Sequence, residues 1–141
     1  MAYWLLKTEP EEYSFSDLEK EGHTVWNGVT NNWAMKFIKQ IKKGDQLFIY
    51  HTGKDKKIVG KALVTSAIYP DPQKTDPKLL VFDVKPLSPM HGRASLRRLK
   101  SDPYFSDFLL VKFTRLSVLP VEDKYWNRIL QIDKAENNKF V

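Results

Sequence analysis

The sequence lacks cysteine altogether and has no long apolar run. Without cysteine the chain forms neither disulfides nor thiolate metal sites, and a cysteine nucleophile or a deaminase-type zinc centre is excluded. Its three histidines, His23, His51 and His91, are scattered rather than spaced as metal ligands, so we expect no metal and no cofactor. No apolar stretch approaches the ~20 residues that a membrane span requires, and the N-terminus lacks a signal-peptide core. These absences predict a soluble, cytoplasmic protein that has no membrane partner.

Catalytic signatures are missing as well. The chain has no Gly-x-Ser-x-Gly elbow, P-loop, dinucleotide fingerprint or His-Glu-x-x-His helix. Catalysis would require that Lys7, Glu9 and His51 share a cleft, where Lys7 or Glu9 would act as acid or base on a modified nucleoside. The sequence therefore favours a non-catalytic protein and leaves that enzyme as an alternative.

Positive charge is the first feature that is present. The chain has 23 Lys and Arg against 17 Asp and Glu, a formal net charge of +6 and a pI of about 9.4. This balance favours a polyanionic partner, namely nucleic acid. Four lysines at i, i+3, i+6 and i+7 would form one phosphate-binding stripe on a predicted second helix, with an ordinary solvated face as the alternative. They are Lys36, Lys39, Lys42 and Lys43.

Short strand and helix patterns alternate along the 141 residues without a linker or an internal repeat. Strands are predicted at 2–7, 24–26, 46–50, 57–68, 79–84 and 115–119, and helices from a Ser14 cap to Gly22 and over 32–42, 95–100 and 121–130. Gly60 indicates a bulge or a close backbone approach. We predict one α+β domain, a curved, mainly antiparallel sheet of five to six strands closing into a small barrel surrounded by short helices.

Three polar-aromatic clusters fall within the first 52 residues, each where a predicted strand runs into a turn. They are WLLKTEP at 4–10, WNGVTN at 26–31 and YHT at 50–52. An aromatic ring offers stacking area to a flat ligand, and fixed polar groups beside it recognise the ligand's edge. The clusters therefore indicate a site for a planar base or a similar ring.

Roles follow from the side-chain types. Stacking is assigned to Trp26 and Tyr50, and Gly28 would permit a positive φ or a close approach of the ligand to the backbone. Recognition of the ring edge by hydrogen bonds is assigned to Thr8, Glu9, Asn27 and His51.

Each assignment has a structural alternative. Trp26 is equally well explained as a core residue, and Trp33 is assigned to core or rim packing. Lys7 and Glu9 would otherwise form a surface ion pair worth about 0–1 kcal/mol. A lone histidine at a strand end, such as His51, is most often a structural hydrogen-bonding group.

Six ordered motifs resemble one known family. Besides the three clusters they are IVG at 58–60, YPD at 69–71 and RLSVLP at 115–120. In wording and order they are similar to the EVE domain over about residues 2–132. The resemblance implies a PUA-like fold, a small bent barrel with helices around it, related to the YTH domains that bind methylated RNA. It places the domain at 1–132, followed by a charged tail at 133–141.

The resemblance also implies a pocket for a base. A modified cytosine in DNA is the favoured ligand and a modified RNA base the second, while a protein-interaction module with a vestigial pocket is a further alternative. One departure is Thr30, where the family commonly has Arg, a side chain that pairs with phosphate or stacks on a base. Carried over by motif, the pocket residues are Lys7, Thr8, Glu9, Trp26, Asn27, Gly28, Val29, Asn31, Tyr50, His51 and Thr52, with Tyr69, Arg115 and Ser117 on further motifs.

Overall fold

A computed structural model describes residues 2–135. The elements in chain order are β1 (Tyr3–Thr8), α1 (Phe15–Glu21), β2 (Thr24–Trp26), α2 (Asn32–Ile38), β3 (Gln46–His51), β4 (Lys57–Val64), β5 (Tyr69–Pro70), β6 (Leu80–Pro89), α3 (Leu96–Lys100), a 3-10 turn (Pro103–Phe105), α4 (Leu109–Lys112), β7 (Val118–Pro120) and α5 (Asp123–Lys134). Residues 136–141 of the predicted tail lie outside the described part, and α5 includes 133 and 134.

All seven strands belong to one curled sheet. The order is β2-β6-β4-β3-β1-β7, with β5 paired to β6, and the curl gives a half-barrel. Within residues 2–135 the pairing of β1 with β3 is parallel and the other strand pairings are antiparallel. The predicted α+β fold with a bent, mainly antiparallel sheet is confirmed. The strand count exceeds five to six because the short β5 was not predicted.

Helix α1 begins and ends where the sequence predicts. The Ser14 hydroxyl accepts the N–H of Asp17, the Asp17 carboxylate accepts the N–H of Ser14, and Gly22 ends the helix at φ 81°. This reciprocal cap satisfies two donors that the first turn would otherwise leave unpaired. The first residue, Phe15, packs directly on β4, where a Cβ added at Gly60 would lie 2.4 Å from its ring. The close backbone approach predicted at Gly60 is therefore confirmed.

Helix α2 is shorter than predicted. It ends at Ile38, and i→i+3 hydrogen bonds then tighten the chain at Gln40 and Ile41. The N–H of Lys42 is bound by the Asp45 carboxylate, 2.9 Å away, so it is not free to continue the helix. The predicted helical stripe of four lysines is therefore wrong beyond Lys36. All four of these lysines are exposed, but they do not share one helix face.

The core lies between the sheet and the helices. Helix α5 buries Tyr125, Trp126 and Ile129. The Trp126 ring stacks on Phe48 at 3.8 Å and on Tyr3 at 4.2 Å, measured between ring centroids. This stack fixes the last helix against β1 and β3.

Within residues 2–135 no helix has the length and apolar composition needed to cross a membrane.

Candidate functional site

The parallel pairing of β1 with β3 places two strand ends side by side. Thr8 is opposite His51 in the register, so the chain leaves both strands at the same edge of the sheet. Trp26 ends β2. Beside these strand ends lies a cavity of about 560 Å³, which we call the groove. Its lining comprises Lys7, Thr8, Glu12, Tyr13, the turn 26–31 and Ser117.

The turn after β2 forms one wall of the groove. Gly28 has φ 85°, and a Cβ added there would have no atom within 4 Å, so backbone conformation alone favours glycine. This confirms the positive φ predicted from the sequence. The Asn31 side chain accepts the N–H of Ala34 at 3.0 Å and caps α2. The Asn27 side chain is exposed and has no hydrogen-bond partner within residues 2–135, so it is available to a ligand.

Two aromatic side chains form the base of this wall. Trp26 is 8% exposed, and Tyr13 meets it edge to face, with ring centroids 6.4 Å apart. The Tyr13 hydroxyl donates to the Glu21 carboxylate. Burial, followed by that hydrogen bond, raises the pKa of Tyr13 to about 12. Trp26 is thus largely a core residue whose remaining exposed edge lines the groove.

Tyr13 was missed by the sequence reasoning. Its carbonyl accepts the Thr8 hydroxyl at 2.7 Å, which joins the end of β1 to the start of α1. The available signal was its place immediately before the helix cap at Ser14, because a large apolar side chain at that position often packs against the first turns of the helix.

Lys7 separates the groove from a second cavity. Its ammonium donates to the carbonyl of Thr114 at 2.8 Å and lies 5.7 Å from the Tyr50 ring centroid. Burial lowers the pKa of Lys7 to about 8, and burial raises the pKa of Tyr50 to about 12. The second cavity, of about 280 Å³, is lined by Lys7, Tyr50 and Thr52 together with Lys56, Lys100 and others.

The third sequence cluster is therefore divided from the other two. Tyr50 is 3% exposed, and it lines the second cavity with Thr52 rather than the groove. The expectation that all three clusters share one pocket is corrected on this point. The reason is that alternate residues of β3 point to opposite faces of the sheet, and the Lys7 side chain fills the space between.

His51 has a structural contact instead of a place in the groove. Its Nε2 accepts the N–H of Phe15 at 3.0 Å, and its Nδ1 lies 3.3 Å from the Asp55 carboxylate. Because Nε2 accepts, the proton of a neutral ring is on Nδ1. His51 is 8% exposed, and its hydrogen bond with the N–H of Phe15 holds the start of α1. This is the structural role that the sequence offered as the alternative to ligand binding.

Glu9 is turned toward the β3–β4 hairpin. Its carboxylate accepts the Thr52 hydroxyl at 3.3 Å, and it lies 2.9 Å from where a Cβ would be on Gly53. Lys7 lines the groove, whereas Glu9 and His51 are absent from its lining. The groove therefore does not bring these three side chains together. Within residues 2–135 no group of three His, Asp or Glu could hold a metal ion.

The remaining candidates have separate positions. Ser117 lines the groove, and Arg115 lines a third cavity of about 330 Å³ beside the groove.

Tyr69 and Lys42 lie away from the groove lining. The Tyr69 hydroxyl donates to Asp83 at 2.6 Å, and this hydrogen bond is the main reason that the pKa of Tyr69 rises to about 12. Lys42 lines a fourth cavity, of about 490 Å³, with residues such as Ala2 and Pro120.

Three comparisons define the relatives of the chain. The model of the EVE domain family matches residues 2–132. Thymocyte nuclear protein 1 of Rattus norvegicus is 30% identical over an alignment of 169 positions, which covers 95% of this chain and 74% of that protein. The solved structure of Rpa0253 from Rhodopseudomonas palustris has a TM-score of 0.90 at 31% identity, covering 100% of this chain and 99% of the other.

A further solved structure includes a ligand. The human THYN1 protein in complex with 5-methylcytosine containing DNA has a TM-score of 0.86 at 25% identity, covering 97% of this chain and 100% of that one.

Proposed function

Since this chain belongs to the EVE domain family, we propose that it is a non-catalytic module that binds nucleic acid and holds a modified base in the groove. A modified cytosine in DNA is the favoured ligand, and a modified RNA base is the second. The observation that carries the proposal is the turn 26–31, whose exposed Asn27 side chain has no partner within residues 2–135 and lies beside the Trp26 and Tyr13 rings. The DNA complex of the similar human protein supports the same ligand class.

The groove offers what an extruded base needs. Extrusion costs a few kcal/mol, and stacking returns roughly 1–3 kcal/mol per base, so hydrogen bonds to the base edge and phosphate contacts must supply the remainder. In the proposal Trp26 and Tyr13 contact the ring, while Asn27 and Thr8 bind its edge. Lys7 supplies positive charge at the groove wall, where Thr30 contributes none.

The decisive experiment changes the Asn27 side chain. Fluorescence anisotropy measures the binding of matched oligonucleotides with and without one 5-methylcytosine. The oligonucleotides are prepared as DNA and as RNA, and each is measured at two salt concentrations. The parent protein should prefer the modified oligonucleotide, and Asn27→Ala should weaken that binding about tenfold through the loss of an edge hydrogen bond. Asn127→Ala is the matched control, since Asn127 is an exposed residue of α5.

Two results would overturn the proposal. One is a parent protein that binds modified and unmodified oligonucleotides of both polymers equally. The other is an Asn27→Ala variant that keeps the full preference of the parent.

A further inference from the structure

One pair of large aromatic rings is exposed next to the groove. Trp33 is 41% exposed, whereas Trp4, Trp26 and Trp126 are 3%, 8% and 3% exposed. Phe113 is 38% exposed, and its ring lies 4.8 Å from the Trp33 ring in an edge-to-face contact. The sequence placed Trp33 in core or rim packing, and this exposure was not predicted. Adjacent aromatic rings that are exposed to solvent are typical of a binding surface.

Positive charge surrounds this pair. The Lys112 ammonium lies 5.9 Å from the Phe113 ring centroid, and Arg115 is exposed. The cavity of about 330 Å³ at this place is lined by residues 112–116 with Asn31 and Trp33, and there is no acidic side chain among them. Rings flanked by cations favour an anionic ligand that has flat groups.

The exposed pair is continuous with the groove. Asn31 lines both the groove and the cavity at Trp33. Thr114 lines the cavity at Trp33, and its carbonyl binds the Lys7 ammonium, which borders the groove. A nucleic-acid strand with one base in the groove would therefore pass Asn31 and reach the Trp33 ring.

We propose that Trp33 and Phe113 form a stacking platform for the base next to the captured one in a single strand, and that Lys112 and Arg115 bind its phosphates. This inference rests on the proposed function, because it takes the strand as entering the groove. Every base has a stacking face, so the platform would add affinity with little sequence preference.

The test uses labelled single-stranded oligonucleotides of about eight nucleotides, with and without one 5-methylcytosine, and measures their dissociation constants. Trp33→Ala should weaken binding of both by about 5–150-fold, the range for one stacked base. Trp33→Phe keeps a ring and should stay within about threefold of the parent. Phe113→Ala should weaken both as well. Leu87→Ala is the matched control, because Leu87 is 44% exposed on β6.

Salt dependence tests the cations separately. Arg115→Gln should reduce the slope of log affinity against log salt concentration by about 0.7, the value for one phosphate on a single strand. An unchanged slope would overturn the phosphate assignment.

The outcomes separate this proposal from the proposed function. If the parent binds both oligonucleotides equally and Trp33→Ala still weakens both, the platform stands and base capture is wrong. If Asn27→Ala removes the preference for the modified base while Trp33→Ala and Phe113→Ala bind as the parent does, the platform is wrong. If the parent binds no oligonucleotide even at low salt, both are wrong and the exposed rings serve a protein partner.

Discussion

The two ends of β1 use similar residues in opposite ways. At the amino end, the indole N–H of Trp4 donates to the Asp45 carboxylate at 2.9 Å. That carboxylate also accepts the N–H groups of Ala2 and Lys42. At the carboxyl end, the groove has Trp26 beside Asn27, and within residues 2–135 neither side chain forms a hydrogen bond. The amino end is thus a closed unit, in which Trp4 and Asp45 are buried and hydrogen-bonded to each other. At the carboxyl end, the Asn27 side chain next to the largely buried Trp26 stays open to solvent.

The difference shows what separates a stabilising site from a binding site in this domain. Asp45 is 4% exposed and its acceptor capacity is used by the chain itself, so it stabilises the fold and has little left for a ligand. The exposed Asn27 makes no such contacts, so it contributes little to folding and keeps its hydrogen bonds for a partner. The comparison can be tested by substitutions at each end.

Asp45→Ala should have the largest effect on stability. It removes the acceptor of three N–H groups, and we expect the free energy of unfolding to fall by about 3 kcal/mol or more. Urea unfolding measures this change, with Asp107→Ala as the exposed control expected to stay within about 0.5 kcal/mol. Folded Asp45→Ala protein should bind oligonucleotides as the parent does. A loss below about 1 kcal/mol would show that the amino end is not the closed unit described.

His51→Ala tests the one buried histidine contact near the groove. The N–H of Phe15 would lose its acceptor at the start of α1, and we expect a loss of about 1–3 kcal/mol in unfolding free energy. Binding should weaken with it, because Tyr13 lies two residues from Phe15 and shares its support. His51→Gln, which retains an acceptor, should recover part of both losses.

A loss of binding without a loss of stability would instead support the role predicted for His51 from the sequence, which is hydrogen bonding to the edge of the ligand ring. If His51→Ala leaves the unfolding free energy unchanged but removes oligonucleotide binding, this side chain contacts the ligand directly. His23→Ala, at an exposed histidine, is the control.

A pH titration gives the smallest effect and concerns the groove alone. Because burial lowers the pKa of Lys7 to about 8, Lys7 is cationic below that pH and becomes neutral as the pH rises through it. Affinity for oligonucleotides should therefore be complete near pH 7 and fall by about 2–5-fold by pH 9, the worth of one partly exposed charge contact. Tyr13 and Tyr50 stay protonated over this range, since burial raises the pKa of each to about 12.

The control for this titration is Lys7→Arg. Arginine stays charged at pH 9, so the variant should show no fall in affinity between pH 7 and pH 9. A parent profile without a fall, or an equal fall in both proteins, would remove Lys7 from the binding surface.

Local patterns were sufficient for much of the fold. The predicted strand at 24–26 matches β2, and the Ser14 cap and Gly22 define α1. The ends of α1 depend on hydrogen bonds between residues close in sequence, which the sequence displays directly. The early end of α2 depends on the carboxylate of Asp45, and the helical periodicity of residues 32–42 does not include that residue.

The site was predictable only in part, for the same reason. The first two clusters do meet in the groove through Lys7, Thr8 and the turn 26–31. The third cluster was separated from them by the bond between Lys7 and Thr114, residues 107 positions apart in the sequence. Spacing between motifs does not contain such a contact, nor does it show that Trp33 is exposed. The ligand contacts themselves stay predictions.

The position of β1 in the sheet has a consequence for how the domain folds. Its neighbours are β3 and β7, so the second edge of β1 is covered only once residues 118–120 are in place. Closing so long a loop slows folding relative to domains with local contacts. During synthesis, the segment 114–117 that borders the groove emerges after the rest of the groove lining. The groove is therefore complete only after Ser117 has been synthesised.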